Sequence, residues 1–124
     1  MREIKFRGRD ISGGAWVTGD LNILADGRVY ILHPVNTQAL YSCRFAGVSV
    51  EPESVGQFTG FKDKEGKEIF EGDILITDKL GDVDDPSFLV VWHDGGWALV
   101  DPITDKYIDF LTSYNADNFF VMRS

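Results

Sequence analysis

The chain is poor in cysteine, with Cys43 the only one in 124 residues. A single thiol closes no intramolecular disulfide, which excludes a stapled secreted scaffold and fits a reducing compartment. Long apolar runs are missing as well. No stretch approaches the ~20 residues that a membrane-spanning helix needs, and Met1 to Arg9 has no apolar core of the signal-peptide kind. A cytoplasmic protein without a membrane partner is expected. Positive charge is in deficit, since 12 Lys and Arg against 20 Asp and Glu leave a net charge of −8. That sign disfavours a surface that coats nucleic acid by counterion release. Helical periodicity is scarce too: almost nowhere do apolar residues recur at i, i+3, i+4 and i+7 without an intervening Gly or Pro.

What the chain does have is aromatic mass and short alternating stretches. Nine Phe, four Tyr and three Trp supply enough apolar area for a core without metals or crosslinks. Apolar residues recur with period 2 around Ile4 and Phe6, Val29 and Ile31, Ile74 and Ile76, and Trp97 and Leu99, which is the rhythm of strands. Turn chemistry separates them at Ser12-Gly13-Gly14, Asp26-Gly27, Lys64-Glu65-Gly66-Lys67 and Asp94-Gly95-Gly96. Reading outward from these turns predicts three hairpins: 16–24 with 28–33, 55–61 with 67–70, and 88–93 with 97–101. Residues 118–123 read as a final strand. The best helical candidate is Thr104 to Tyr114, where Tyr107, Phe110, Leu111 and Tyr114 fall at helical spacing behind a Thr104 N-cap. The expected fold is all-β, a small barrel or sandwich of antiparallel hairpins with at most one short helix near the C-terminus, in one domain over residues 1–124.

Catalytic chemistry finds little support in the residue pattern. Cys43 sits between Ser42 and Arg44 outside any nucleophile motif, and reads as a structural thiol. His33 and His93 fall at a strand end and a turn, without the spacing that would make a zinc site with Cys43. The acidic loop containing Asp78, Asp82, Asp84 and Asp85 invites a calcium reading. It fails the EF-hand pattern, because counting from Asp82 puts Ser87 where Gly is needed and His93 where Glu is needed. No Gly-rich loop carries the Lys-Ser/Thr ending of a phosphate cradle. No catalytic residue, metal or cofactor is therefore expected, and a hydrolase built on His93 and Asp94 is the weakest of the readings. Charge is segregated along the chain: Arg2, Lys5, Arg7 and Arg9 make the first residues positive, whereas Asp78 to Asp105 carries seven Asp. These two regions suit assembly of a homo-oligomer. The same N-terminal residues, with Phe6 among them, form a possible nucleic-acid contact, a basic strand carrying a stacking aromatic. The competing reading is an edge strand protected from aggregation by its charge.

The block Val55-Gly56-Gln57-Phe58-Thr59-Gly60-Phe61-Lys62-Asp63-Lys64-Glu65-Gly66-Lys67-Glu68-Ile69-Phe70-Glu71-Gly72-Asp73-Ile74 resembles the signature of the YopX family of phage and prophage proteins. Ile4 to Arg9 and Gly14 to Leu21 are similar to that family's opening, and Val90 to Trp97 to its second hairpin. Phe58 and Phe70 depart from it, standing where Tyr is expected, and Tyr114 to Ser124 differs from the usual tail. The resemblance implies an all-β, phage-associated protein and transfers no activity. Read as a surface, the signature offers Gln57, Thr59, Lys62, Asp63, Glu71 and Asp73 as candidate binding residues. Read as a folding signature, it supplies the turns that its glycines and aspartates favour. The leading expectation is a non-catalytic accessory module that binds a host or phage macromolecule and self-assembles. The alternative is a small nucleic-acid-interacting β-barrel.

Overall fold

The computed structural model describes residues 3–34, 45–77 and 86–122, without the side chains of residues 33, 34, 45 and 46. Arg2, Cys43, the imidazole of His33 and residues 78–85 of the acidic loop lie outside the described residues. Among those described, the secondary structure is all β apart from two 3-10 turns, Pro52–Ser54 and Ala116–Asn118. One sheet contains β1 (Phe6–Arg9), β2 (Trp16–Ile23), β3 (Val29–Pro34), β4 (Phe45–Val50), β5 (Gly56–Lys62) and β6 (Glu68–Phe70), in the order β4-β3-β2-β1-β5-β6. The other contains β7 (Ile74–Ile76), β8 (Ser87–His93), β9 (Gly96–Val100), β10 (Tyr107–Phe110) and β11 (Phe120–Met122), in the order β10-β9-β8-β7-β11. Every pairing is antiparallel. Each sheet ends in edge strands, so the all-β expectation of antiparallel hairpins holds and the closed barrel does not.

The turn chemistry read from the sequence produces the hairpins. Asp94 and Gly95 both take positive φ, 49° and 80°, and join β8 to β9 across the pair His93↔Gly96. That is the two-residue connection whose twist matches the strands it joins. The Asp26-Gly27 turn joins β2 to β3, with Gly27 at φ 92°. The predicted helix over Thr104 to Tyr114 is corrected to a strand. Asp101 Oδ1 accepts the N–H groups of Ile103 and Thr104, Asp105 takes φ 58°, and the chain turns back so that Tyr107 pairs with Val100 and Phe110 with Ala98. A register shift between Tyr107 and Asp109 adds one residue to the strand. Such a bulge puts residues i and i+3 on one face, which imitates the helical spacing of Tyr107 and Phe110.

The chain divides into two compact units, Met1–Gln57 and Phe58–Ser124, each with its own core. In the first, Val29, Ile31 and Val50 are buried, with Phe6, Val17, Leu21, Val48 and Val55 packed against them. Its strands curl far enough for Asp10 to make an isolated bridge with Val50. Gly8 permits this, because a Cβ there would stand 2.8 Å from the Val50 side chain. In the second, Ile69, Leu75, Val90, Trp97, Leu99, Leu111 and Val121 form the centre of the core, with Phe61 and Phe88 at its margin.

Candidate functional site

The central signature is held by its own polar groups. Asp63, only 3% exposed, follows β5 and starts the turn to β6. Its Oδ1 accepts the N–H groups of Glu65 and Lys67, both at 2.8 Å, in a turn that Gly66 completes at φ 81°. Its Oδ2 accepts the N–H of Val121 in β11 at 2.9 Å. The backbone N–H of Lys64 donates to the Phe119 carbonyl beside it. One carboxylate and one amide thus stand in for a neighbouring strand along the edge of β11, where unpaired N–H groups would otherwise remain.

Asp73 and Thr59 play parallel parts. Asp73 Oδ2 accepts the N–H of Phe70 at 2.8 Å, closing the Phe70-Glu71-Gly72-Asp73 turn in which Gly72 takes φ 91°. The Thr59 hydroxyl donates to the Ile69 carbonyl at 2.8 Å and accepts the N–H of Phe61. Thr59, Asp63 and Asp73 are all buried, and their oxygens go to separate backbone positions instead of one cleft. Of the remaining candidates, Lys62 is exposed opposite Glu68, Glu71 is half-buried, and Gln57 is half-buried opposite Phe6. Phe58 and Phe70 lie in a buried aromatic pair with ring centroids 5.5 Å apart. A Tyr hydroxyl at either position would need a partner of its own.

The N-terminal basic strand is engaged with an aromatic that sequence reasoning did not connect to it. Trp16 of β2 lies opposite Arg9 of β1. The guanidinium carbons of Arg7 and Arg9 stand 4.3 and 4.9 Å from Trp16 ring centroids, within the range of cation–π attraction. Arg7 is only 5% exposed. Lys5 pairs with Glu3 at 3.2 Å, and Phe6 packs on the core of the first unit. Alternation along two paired strands was the available signal, because residues opposite one another share a face.

His93 and Asp94 are brought together at the β8–β9 turn, Nε2 to Oδ2 3.2 Å, with both side chains in solvent. The His93 ring lies 5.6 Å from Tyr107, which in turn meets Phe110 at 5.3 Å. These rings belong to an outer face of the five-stranded sheet. The pairings place Ile74 and Ile76 of β7, Leu89 and Val91 of β8, Ala98 and Val100 of β9, and Phe120 and Met122 of β11 on the same side as Tyr107 and Phe110. The opposite side carries Leu75, Phe88, Val90, Leu99 and Val121, which belong to or border the core. The sheet is therefore apolar on both sides. Runs such as Phe88-Leu89-Val90-Val91-Trp92 announce this, since a strand with one wet face alternates. On this side Met122 and Tyr107 of the edge strands are 53% and 42% exposed, whereas Ala98 and Val100 of β9 are buried.

The profile of a protein family described as YopX protein matches residues 5–121. No match is found among curated proteins. The chain is similar in fold to the crystal structure of protein EF1440 from Enterococcus faecalis, with a TM-score of 0.50 at 20% sequence identity. The likeness covers 89% of this chain and 92% of that one.

Proposed function

This chain belongs to the YopX family, and from that premise we propose that it is a phage- or prophage-derived accessory protein of the cytoplasm, acting by binding and self-assembly without catalysing a reaction. The observation that carries this reading is a division of labour among its side chains. Thr59, Asp63 and Asp73 of the signature are turned inward to hold backbone, whereas apolar side chains such as Met122 and Tyr107 stand exposed on the edge strands of the five-stranded sheet. Open apolar area of this kind marks an interaction surface in a soluble protein. The nucleic-acid alternative is less well supported, because the cationic heads of Arg7 and Arg9 are stacked on Trp16.

The test is co-expression of two differently tagged copies in the native bacterium, with capture through one tag and sequencing of any nucleic acid that comes with it. Recovery of the second tag, alone or with one enriched macromolecule, is the expected result. A monomer that captures nothing in resting or infected cells overturns the reading. So does a hydrolytic activity that disappears in an Asp94→Asn variant. Nucleic acid captured at low salt and lost steeply as salt rises would favour the alternative.

A further inference from the structure

We propose that the β9–β10 hairpin is an arm that docks a basic segment of a partner protein, whose Lys or Arg side chains meet its Asp carboxylates and the Tyr107 ring. This rests on the binding half of the reading above and deepens it by naming the surface and the chemistry of the partner. Self-assembly stands or falls separately.

The arm lies outside the core. Every residue from Pro102 to Asp109 is exposed. Three large apolar side chains fall close together in that stretch: Ile103 is 92% exposed, Ile108 46% and Tyr107 42%. Apolar residues scattered singly over a surface are ordinary. A concentration of them that includes a tyrosine marks a contact.

The charge around these side chains selects the partner. From His93 to Phe110 the chain carries Asp94, Asp101, Asp105 and Asp109 against one cation, Lys106. The Asp94 carboxylate meets the His93 ring, which lies 5.6 Å from Tyr107. Asp105 stands two residues before Tyr107, and Asp109 adjoins Ile108. An exposed aromatic ring accompanied by carboxylates draws a Lys or Arg side chain twice, through the ring quadrupole and through ion pairing. A second copy is a poor occupant of this arm. It brings a net charge of −8, and in its first unit Arg7 and Arg9 stack on Trp16 while Lys5 and Arg28 pair with Glu3 and Asp26. A partner of positive charge gains where a copy of this chain is repelled. Recognition runs through side chains, because the register shift in β10 and the Phe110 N–H donating to Asp109 Oδ1 close that edge to an added strand.

Selection of a random peptide display library on the immobilised full chain tests this, followed by fluorescence anisotropy of the enriched peptides. The expected result is enrichment of peptides with a net positive charge and an apolar residue. Their affinity should fall about two- to fivefold in Tyr107→Ser, which removes the ring, and should fall also in Ile103→Ser and in the double variant Asp105→Asn, Asp109→Asn. Asn tolerates the positive φ of Asp105, and at position 109 it still accepts the Phe110 N–H. Circular dichroism checks folding, and Ile103→Ser, at a position 92% exposed, serves if Tyr107→Ser does not fold. The two Ser variants leave the net charge unchanged. Basic peptides that bind both as tightly as wild type therefore report overall charge alone and overturn the inference, as does enrichment of acidic peptides, of uncharged peptides or of none. Copies that still capture one another when no basic peptide binds sink the arm and leave self-assembly intact. Basic peptides that bind the arm of a monomer uphold the arm and remove self-assembly.

Discussion

At the scale of single residues, Asp63 organises more of the second unit than any apolar side chain of the signature. Its side chain is short enough to fold back on the N–H groups of Glu65 and Lys67, and its second oxygen reaches Val121, 58 positions away in sequence. All three donors meet a carboxylate, which only accepts. In Asp63→Asn one oxygen becomes an NH2 group facing N–H donors, so at least one buried N–H loses its partner at a cost of about 1–3 kcal/mol. Urea denaturation should therefore show a lower midpoint with an unchanged slope. A midpoint equal to that of the wild type would mean that solvent or a neighbouring group replaces the carboxylate. Trp16 has a comparable part in the first unit, where the buried Arg7 and half-buried Arg9 stack on one indole. Gly19 shows the opposite case, a residue whose lack of a side chain matters. A Cβ there would stand 2.0 Å from the Leu32 carbonyl oxygen, so the β2–β3 pairing has no room for alanine.

At the scale of elements, aspartates placed two or three residues before backbone N–H groups set the turns. Asp101 Oδ1 accepts from Ile103 and Thr104, and these bonds hold its carboxyl below the usual value of 3.8, the Ile103 N–H contributing most. Asp10 is lowered in the same direction by the N–H and then the hydroxyl of Ser12. A carboxyl whose pKa is depressed in the folded state stabilises the fold above its unfolded pKa, and that contribution fades as pH falls through the folded value. Asp101→Asn should therefore lower the urea midpoint near pH 6, and the gap to wild type should close as pH drops below 3.8. A gap that stays constant with pH would show that Asp101 acts by shape alone. The β9–β10 turn that Asp101 shapes is also where the helical reading failed. Tyr107 and Phe110, at i and i+3, do share a face, but a bulged strand meets that condition as well as a helix does.

At the scale of the whole molecule, charge is divided between the units. Met1–Gln57 carries six Lys and Arg against six Asp and Glu, and Phe58–Ser124 carries six against fourteen, so the entire net charge of −8 lies in the second unit. Copies that self-assemble with this net charge repel one another at long range, and salt screens the repulsion over about 10 Å at 0.1 M. Dimerisation should therefore tighten as sodium chloride rises from about 20 to about 200 mM, the reverse of the weakening expected for nucleic-acid binding over the same range. Light scattering at fixed protein concentration reads the trend directly. Association that weakens with salt would mean that ion pairs between the copies outweigh the repulsion.

The sequence by itself determined most of the strands and their turns and the family, though not β4 or β10. Those features depend on neighbours a few residues apart: Asp-Gly pairs that accept positive φ, alternation with period 2, and the unbroken block from Val55 to Ile74. It also placed Gln57, Thr59, Lys62, Asp63, Glu71 and Asp73 in one stretch, without showing which way their polar atoms face. Only the tertiary structure decided that Thr59, Asp63 and Asp73 point inward, because the groups they satisfy include one on a strand 58 residues away. The same holds for Arg7 and Arg9, whose positive charge reads as free until β2 brings Trp16 against it. It holds again for the outer face, since a run of apolar residues shows that both sides of a strand are dry but not what lies on each. Burial and pairing are set by which strands meet, and contacts between distant segments leave no mark within a local window of sequence.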